Sequence, residues 1–341
     1  MIEQILTGTP YPIKGAWIQT TNTIACGSAD PRRTYRAFKG LDLNVVVDLF
    51  MTPTAVAFAD FVLPAVTYPE KDGIAIPIGS STVVGTINKA IEPVGECKPD
   101  VEINFEIGRR LNPEAWPWRN TRELLNALAA PSGMSFESLR DKGFACDEFS
   151  YKKYEKGLLR PDNGPGFNTP TGKVELYSTV YEDCGLDPLP YFEEPPESPI
   201  STPDIAEDYP LILTTGARVR GFFHSEHRQV PSLRAMNPDP ITEVHPKTAE
   251  QSGIRDGDWI YLENRHGRCK QRVKITDAID PRVVHAQHGW WFPEKTGPEP
   301  SLFGVWESNV NLLLPSGWTG RAGFGYPFKA QMCRITKCEE D

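Results

Sequence analysis

The stretch Leu43 to Leu49 (LNVVVDL) sets the tightest constraint on how this chain folds. A strand with one face in water alternates apolar and polar residues; a run that is almost wholly apolar is expected of a strand covered on both faces, and so of a parallel sheet with helices packed against it. The neighbouring segments agree. Ile13 to Gln19 (IKGAWIQ) is a second short apolar strand, ending in the polar run Thr20-Thr21-Asn22-Thr23. Between the two, Asp30-Pro31 reads as a helix start, with Asp as N-cap and Pro in the first helical position. That helix runs through Arg36 and Phe38 and stops at Gly40. A link from Met51 to Asp60 leads to a further apolar piece, Phe61-Val62-Leu63. Strand, helix, strand, link, strand is the rhythm of an α/β layer.

Tyr68 to Pro99 is rich in loops, Val101 to Leu111 and Thr121 to Ala130 have helical spacing, and Ser132 to Asp208 is irregular. The run Glu193-Glu194-Pro195-Pro196-Glu197-Ser198-Pro199 has the composition of a linker. Beyond it the rhythm changes. Pro210 to Thr215, Trp259 to Glu263, Cys269 to Thr276 and Val283 to Gln287 are strands, separated by turn signals such as Asp256-Gly257 and His266-Gly267, with a short helix at Pro246 to Gln251. These patterns predict an α/β parallel-sheet domain over residues 1–130, an irregular connector over 131–208 and a small β-barrel over 209–338.

The bulk numbers exclude more than they assign. A net charge of -9 argues against broad nucleic-acid binding through phosphate neutralisation, but not against one anionic cofactor held by a few local cations. No run approaches the ~20 apolar residues of a membrane helix, and Met1 to Pro10 lacks the pattern of a signal peptide. The cysteines at 26, 97, 146, 184, 269, 333 and 338 are odd in number and scattered, with no C-x-x-C, so neither a disulfide framework nor a cluster-binding quartet is visible.

Two places have the character of ligand sites. Ligands in open parallel sheets sit beyond the carboxyl ends of the strands. Here those ends present Asn22 after one strand, and Asp48 and Thr52 after the next. A carboxylate such as Asp48 matches the adjacent N1–H and amino group of guanine, and Thr52 suits a sugar or phosphate; the alternative is that Asp48 simply caps the following turn. The second place is the loop Gly216 to Arg228, where Arg218, Arg220, His224, Ser225 and Arg228 follow Thr215 in an otherwise acidic chain, with Gly216 and Gly221 leaving room for an anion. Trp290 and Trp291 read as a core plug, whereas Asn311 and Lys329 read as further contacts. No nucleotide-binding glycine motif, nucleophile elbow or H-E-x-x-H occurs, and no catalytic group is nominated.

Taken in order, these stretches resemble the dimethyl sulfoxide reductase family of molybdenum and tungsten enzymes. Asp48-Leu49-Phe50-Met51-Thr52-Pro53-Thr54-Ala55, then Ala59-Asp60-Phe61-Val62-Leu63-Pro64 and Glu70-Lys71-Asp72-Gly73, is similar to its second α/β half. Val244-His245-Pro246-Lys247-Thr248-Ala249 through Gly253-Ile254-Arg255-Asp256-Gly257-Asp258, with Asn311-Leu312-Leu313 and Phe328-Lys329, resembles its dinucleotide-binding barrel, of double-psi type. The resemblance implies a bis(molybdopterin guanine dinucleotide) cofactor carrying molybdenum or tungsten. Asp48 and Thr52 would hold the guanosine end, and Thr215, Arg218, His224, Ser225, Asn311 and Lys329 would reach the pterin from the barrel side. Asn22 departs from the family's Asn-Pro pair, since Thr23 follows it.

The family's metal ligand and iron–sulfur cysteines belong to an N-terminal portion that this sequence does not contain. The resemblance therefore implies a molybdopterin-dependent oxidoreductase whose catalytic subunit is longer than this chain. Its partners would be that N-terminal half, an iron–sulfur electron-transfer subunit and a small-molecule substrate, with no membrane insertion; the chain alone would be inactive. It leaves open electron or oxygen-atom transfer, the dehydroxylation, transhydroxylation or hydration of other branches, and a non-catalytic relative of the large iron–sulfur subunit of respiratory complex I.

Overall fold

The computed structural model describes residues 1–77, 82–146, 150–217, 219–317, 320, 325 and 328–339. Its residues cluster into two compact units, Met1–Val62 with Tyr191–Asp341, and Leu63–Pro190.

The α/β layer of the first unit is built as the apolar runs require. Strands β1 (Gly15–Gln19), β2 (Leu43–Asp48) and β3 (Phe61–Pro64) form one sheet in the order β1-β2-β3. β1 and β2 are parallel, with Gly15 opposite Leu43 and Gln19 opposite Val47. Helix α1 (Ile2–Thr7) precedes the sheet. Helix α2 (Pro31–Lys39) connects β1 to β2; Asp30 caps it by accepting from the Arg33 amide over 3.0 Å, and it ends at Gly40 as expected. The segment read as a link from Met51 to Asp60 is instead largely helical, α3 (Pro53–Phe58). Thr52 caps it through its hydroxyl, and Pro53 takes the first helical position. At six residues it is too short for a 3.6-residue period to show in the sequence.

In the second unit, β4 (Gly73–Ala75), β5 (Val83–Ile87) and β6 (Phe144–Cys146) form an antiparallel sheet. Helices α4 (Asp100–Leu111), α5 (Thr121–Ala129) and α6 (Phe136–Lys142) accompany it, the first two at the expected places. Glu70 and Asp72 are occupied structurally. Glu70 closes a capping box with Thr67, and Asp72 accepts from Lys89 N and pairs with Arg122, both over 3.0 Å.

The C-terminal region closes into a barrel of six strands, β7 (Leu211–Ala217), β8 (Ile241–Val244), β9 (Trp259–Asn264), β10 (Gly267–Ile275), β11 (Val283–Gln287) and β12 (Gln331–Lys337). It is mixed. β10 with β8 and β11 with β7 run parallel, and the other neighbours antiparallel. Alternate residues point inward, among them Ile260, Leu262, Cys269, Val273, Val284 and Ala286. A buried Gln271 is tolerated there because it is fully engaged: it accepts from Thr242 over 2.8 Å and donates to the carbonyls of Gln287 (2.9 Å) and Ser308 (3.3 Å).

Two sequence expectations change here. The acidic, proline-rich run at 193–199 is anchored rather than free: Glu197 is buried, ion-paired with Arg265, and 3.3 Å from His266. Composition suggested a linker, but one buried ion pair decides the outcome. The α/β layer and barrel also share a core. Trp291, Leu302 and Val305 pack among Ile18, Ile24, Phe38, Val46 and Phe58. Trp290 and Trp291 are fully buried, as a core plug should be.

Candidate cofactor-binding cleft

The chain leaves β1 through Thr20, in left-handed backbone (φ 57°), and enters a single π-helical turn, Thr23–Gly27. The Asn22 carbonyl starts that turn by accepting from Ala25 (3.1 Å) and Cys26 (2.9 Å). The Asn22 side chain is buried, and its Oδ1 accepts from the Thr54 hydroxyl over 2.8 Å. Thr54 in turn accepts from the Ile24 amide over 3.1 Å, which ties the turn to the start of α3. The Asn22 Nδ2 is buried and has no acceptor among the described residues. An orphaned buried donor costs about 1–3 kcal/mol, so it marks a place where a ligand acceptor fits.

Asp48 ends β2 at the same edge of the sheet. Its Oδ1 accepts from the amides of Leu49 (2.7 Å) and Phe50 (3.5 Å), and the Thr52 hydroxyl bonds it as well. It therefore caps the turn that follows the strand. Burial raises the Asp48 pKa, the two amides pull it back, and the negative charge of Glu226 adds to the rise. Glu226 lies in the loop after β7, and that loop reaches the sheet's turn at Cys26, whose ligand atom lies within 4.8 Å of that of His224.

The loop is organised around Arg228, which is 1% exposed. Its guanidinium lies 4.7 Å from the Phe222 ring centre and 4.5 Å from that of Trp290. It donates to the carbonyls of His224 (2.9 Å) and His288 (3.4 Å). Burial pushes its pKa down to about 9, which leaves it charged at neutral pH. His224 is held in left-handed backbone (φ 53°), and its Nδ1 sits 2.7 Å from His288 Nε2. Ser225 is buried, and its carbonyl accepts from Trp291 Nε1 over 2.9 Å. Gly289 makes the close approach possible: a Cβ there would stand 3.3 Å from backbone atoms of His224 and Ser225.

Two asparagines lock the π-helical turn from the barrel side. Asn309 Nδ2 donates to the Ile24 carbonyl over 2.9 Å, and Asn311 Nδ2 to the Ser28 carbonyl over 2.9 Å and that of Cys26 over 3.4 Å. Asn311 is 2% exposed, and its amide is engaged with backbone. Lys329 donates to the Thr215 carbonyl, and Thr215 Oγ1 donates to the Phe328 carbonyl over 2.9 Å, so these two hold the end of β7. Arg218 lies outside the described residues.

The structure brings His224 to Cys26 of the turn that starts at Asn22, and ties Asn22 to Thr54 in α3; Asp48 ends β2, and Thr52 caps α3. Thr215 and Lys329 form a pair at the strand end that feeds the loop, and Asn311 acts on the turn rather than into the cleft. Cys26, Thr54, Glu226, His288 and Asn309 were not singled out from sequence. Asn311, polar ahead of three leucines, was the only residue of the asparagine pair noted in sequence, and it was read there as a ligand contact.

Two family models match the two halves of the chain that supply these residues. Residues 2–110 match the molybdopterin oxidoreductase family and residues 211–330 the molydopterin dinucleotide binding domain. The chain belongs to the molybdopterin oxidoreductases of the dimethyl sulfoxide reductase family, and it is the molybdopterin-binding part of such an enzyme. It is 37% identical over 317 residues to acetylene hydratase of Syntrophotalea acetylenica, covering 90% of this chain and 41% of that protein. It is 28% identical to dopamine dehydroxylase of Eggerthella lenta (86% of this chain, 35% of that protein) and 28% identical to dimethyl sulfoxide reductase DmsA of Escherichia coli (82% and 37%). Among solved structures it superposes on acetylene hydratase from Pelobacter acetylenicus with a TM-score of 0.88 at 33% identity, over 99% of this chain and 46% of that one. The chain spans less than half the length of these relatives.

Proposed function

We propose that this chain holds the guanine-dinucleotide end of a molybdopterin cofactor, and one side of its pterin, within a longer catalytic subunit. The observation that carries the reading is the orphaned, buried Asn22 amide at the start of the turn whose Cys26 meets His224 of the barrel loop, with their ligand atoms within 4.8 Å. Asp48 Oδ2 accepts from the guanine edge, Thr52 serves the sugar or phosphate, and Asn22 Nδ2 donates to the ligand. His224 and Ser225 contribute from the barrel side, with Thr215 and Lys329 holding the strand end that feeds that loop. When bound, the cofactor supplies a molybdenum or tungsten centre; the chain's own residues bind, orient and exclude water.

Two reaction classes fit such a subunit: electron or oxygen-atom transfer, and the addition or removal of water or hydroxyl. The second is favoured by the higher identity to a hydratase than to the reductase. The metal ligand, any iron–sulfur cluster and an electron-transfer partner would come from outside this chain. The test is to purify the subunit that carries this chain, measure guanine nucleotide released on denaturation, and assay acetylene hydration with no electron acceptor present. Stoichiometric guanine and acceptor-free turnover are expected. Absence of guanine would overturn the cofactor reading, and turnover only with an electron donor or acceptor would return it to the redox class.

A further inference from the structure

Beside the cleft, one thiol and two imidazoles converge from three separate segments. Cys26 comes from the π-helical turn, His224 from the loop after β7, and His288 from the residue after β11. One ligand atom from each lies within 4.8 Å of the other two. The imidazoles meet nitrogen to nitrogen, His224 Nδ1 to His288 Nε2, at 2.7 Å. We propose that Cys26, His224 and His288 form a binding site for a thiophilic divalent cation of the zinc class, with a fourth position open to water or a ligand.

The chemistry of the set selects the ion. Two imidazole nitrogens and one sulfur suit zinc or cobalt, and disfavour magnesium or calcium, which take oxygen ligands. The geometry needs little change. Tetrahedral zinc holds nitrogen at about 2.0–2.1 Å and sulfur at about 2.3 Å, which sets nitrogens about 3.3 Å apart and nitrogen and sulfur about 3.6 Å apart. The two imidazoles would spread by about half an ångström and the sulfur close in.

The surroundings pre-position all three ligands. Asn309 and Asn311 fix the turn that carries Cys26. Arg228 grips the carbonyls of both His224 and His288 through one guanidinium. His224 keeps a left-handed backbone, φ 53°, that a histidine rarely adopts, and Gly289 leaves the space for it. Strained backbone persists where its neighbours over-determine it, and such positions cluster at ligand clamps. Arg228 acts electrostatically on Cys26 more than Glu226 does and with the opposite sign, so the loop's charges partly offset one another at the thiol. Binding would release the Cys26 proton to solvent and leave a thiolate on the metal. The bound ion would then join the sheet's turn, the barrel loop and the end of β11. This inference rests on the ligand geometry of the pterin-free chain; it takes His224, which the pterin reading also uses, and leaves the guanine contacts at Asp48 untouched.

The test is titration of the full chain, free of pterin, with Co2+ and then Zn2+. One equivalent of Co2+ should produce a thiolate-to-cobalt charge-transfer band and visible bands of tetrahedral intensity, both erased by Zn2+. Cys26→Ser should lose the charge-transfer band, His288→Gln should weaken binding at least about tenfold, and Cys97→Ser should leave the spectrum unchanged. Alkylation of the unaltered protein gives a check that needs no variant: Zn2+ should protect Cys26 and not Cys97. The absence of a band with the unaltered protein, a band that survives Cys26→Ser, or equal labelling of Cys26 with and without Zn2+ would overturn the site. None of these results alters guanine binding at Asp48, so the two readings fail separately.

Discussion

Asn311 donates from Nδ2 to the carbonyl of Ser28 over 2.9 Å, a bond that spans 283 positions of sequence. Together with Asn309 it replaces the hydrogen-bond partners that a five-residue π-helical turn cannot supply for itself. The turn carries Cys26 and begins at Asn22, so the barrel dictates the shape of the sheet's ligand edge. Asn311→Ala leaves the Ser28 and Cys26 carbonyls short of a donor and should cost about 1–3 kcal/mol. Urea unfolding should show a lower midpoint with an unchanged slope.

Arg228 is the second fixed point. Arg228→Met keeps an apolar body between Phe222 and Trp290 but loses the cation–π contacts and both carbonyl bonds. The expected destabilisation is about 3 kcal/mol. Arg228→Lys should recover less than half of it, because a single ammonium cannot reproduce the planar fork. Thermal unfolding of the three proteins side by side measures this.

Gly289→Ala tests the fit of the loop more gently. Residue 289 has φ +68°, and a Cβ would press on His224 and Ser225 backbone at 3.3 Å. A cost of about 1–2 kcal/mol is expected from the left-handed backbone alone. Guanine binding at the far side of the cleft should change little, which calorimetry on the same sample reads.

The sequence made the frame legible and left much of the site hidden. A buried parallel strand declares itself through Leu43–Asp48, and alternation declares β9 and β11, because periodicity reports one-sided or two-sided burial directly. Helix α3 and strand β8 were missed as elements, because the helix has six residues and the strand four, too few to show a period. Asp48 and Thr52 could be nominated from sequence because strand ends are predictable places for ligands. Cys26, His288 and Thr54 escaped because their importance comes from partners far away in sequence, such as the contact of His224 with His288. Asn311 was noticed for the right reason, polarity ahead of a leucine run, yet its amide meets backbone instead of facing the cleft.

The pH dependence of ligand binding follows from Asp48. Burial, with Glu226 adding to it, raises its pKa, so the carboxylate form is harder to make in the folded chain than in an open one. Charging this group therefore opposes folding: its penalty is absent below the unfolded pKa, grows as pH rises from there, and is complete above the raised folded value. A guanine edge needs the ionised form, so binding should strengthen as pH rises through that raised value and fade at pH values where an ordinary aspartate would still be charged. Glu226→Gln should move the midpoint down, and calorimetric titrations across pH read the shift directly.

The central claim is that the Asp48 edge recognises guanine, and calorimetric titration of the full chain with guanosine diphosphate and adenosine diphosphate tests it most directly. Guanosine diphosphate should bind with one site and adenosine diphosphate should bind at least about tenfold more weakly, since adenine offers no adjacent pair of donors to a carboxylate. Asp48→Asn should abolish that preference while leaving the fold intact by circular dichroism. Equal binding of the two nucleotides, or a guanine preference that persists in Asp48→Asn, would contradict the assignment.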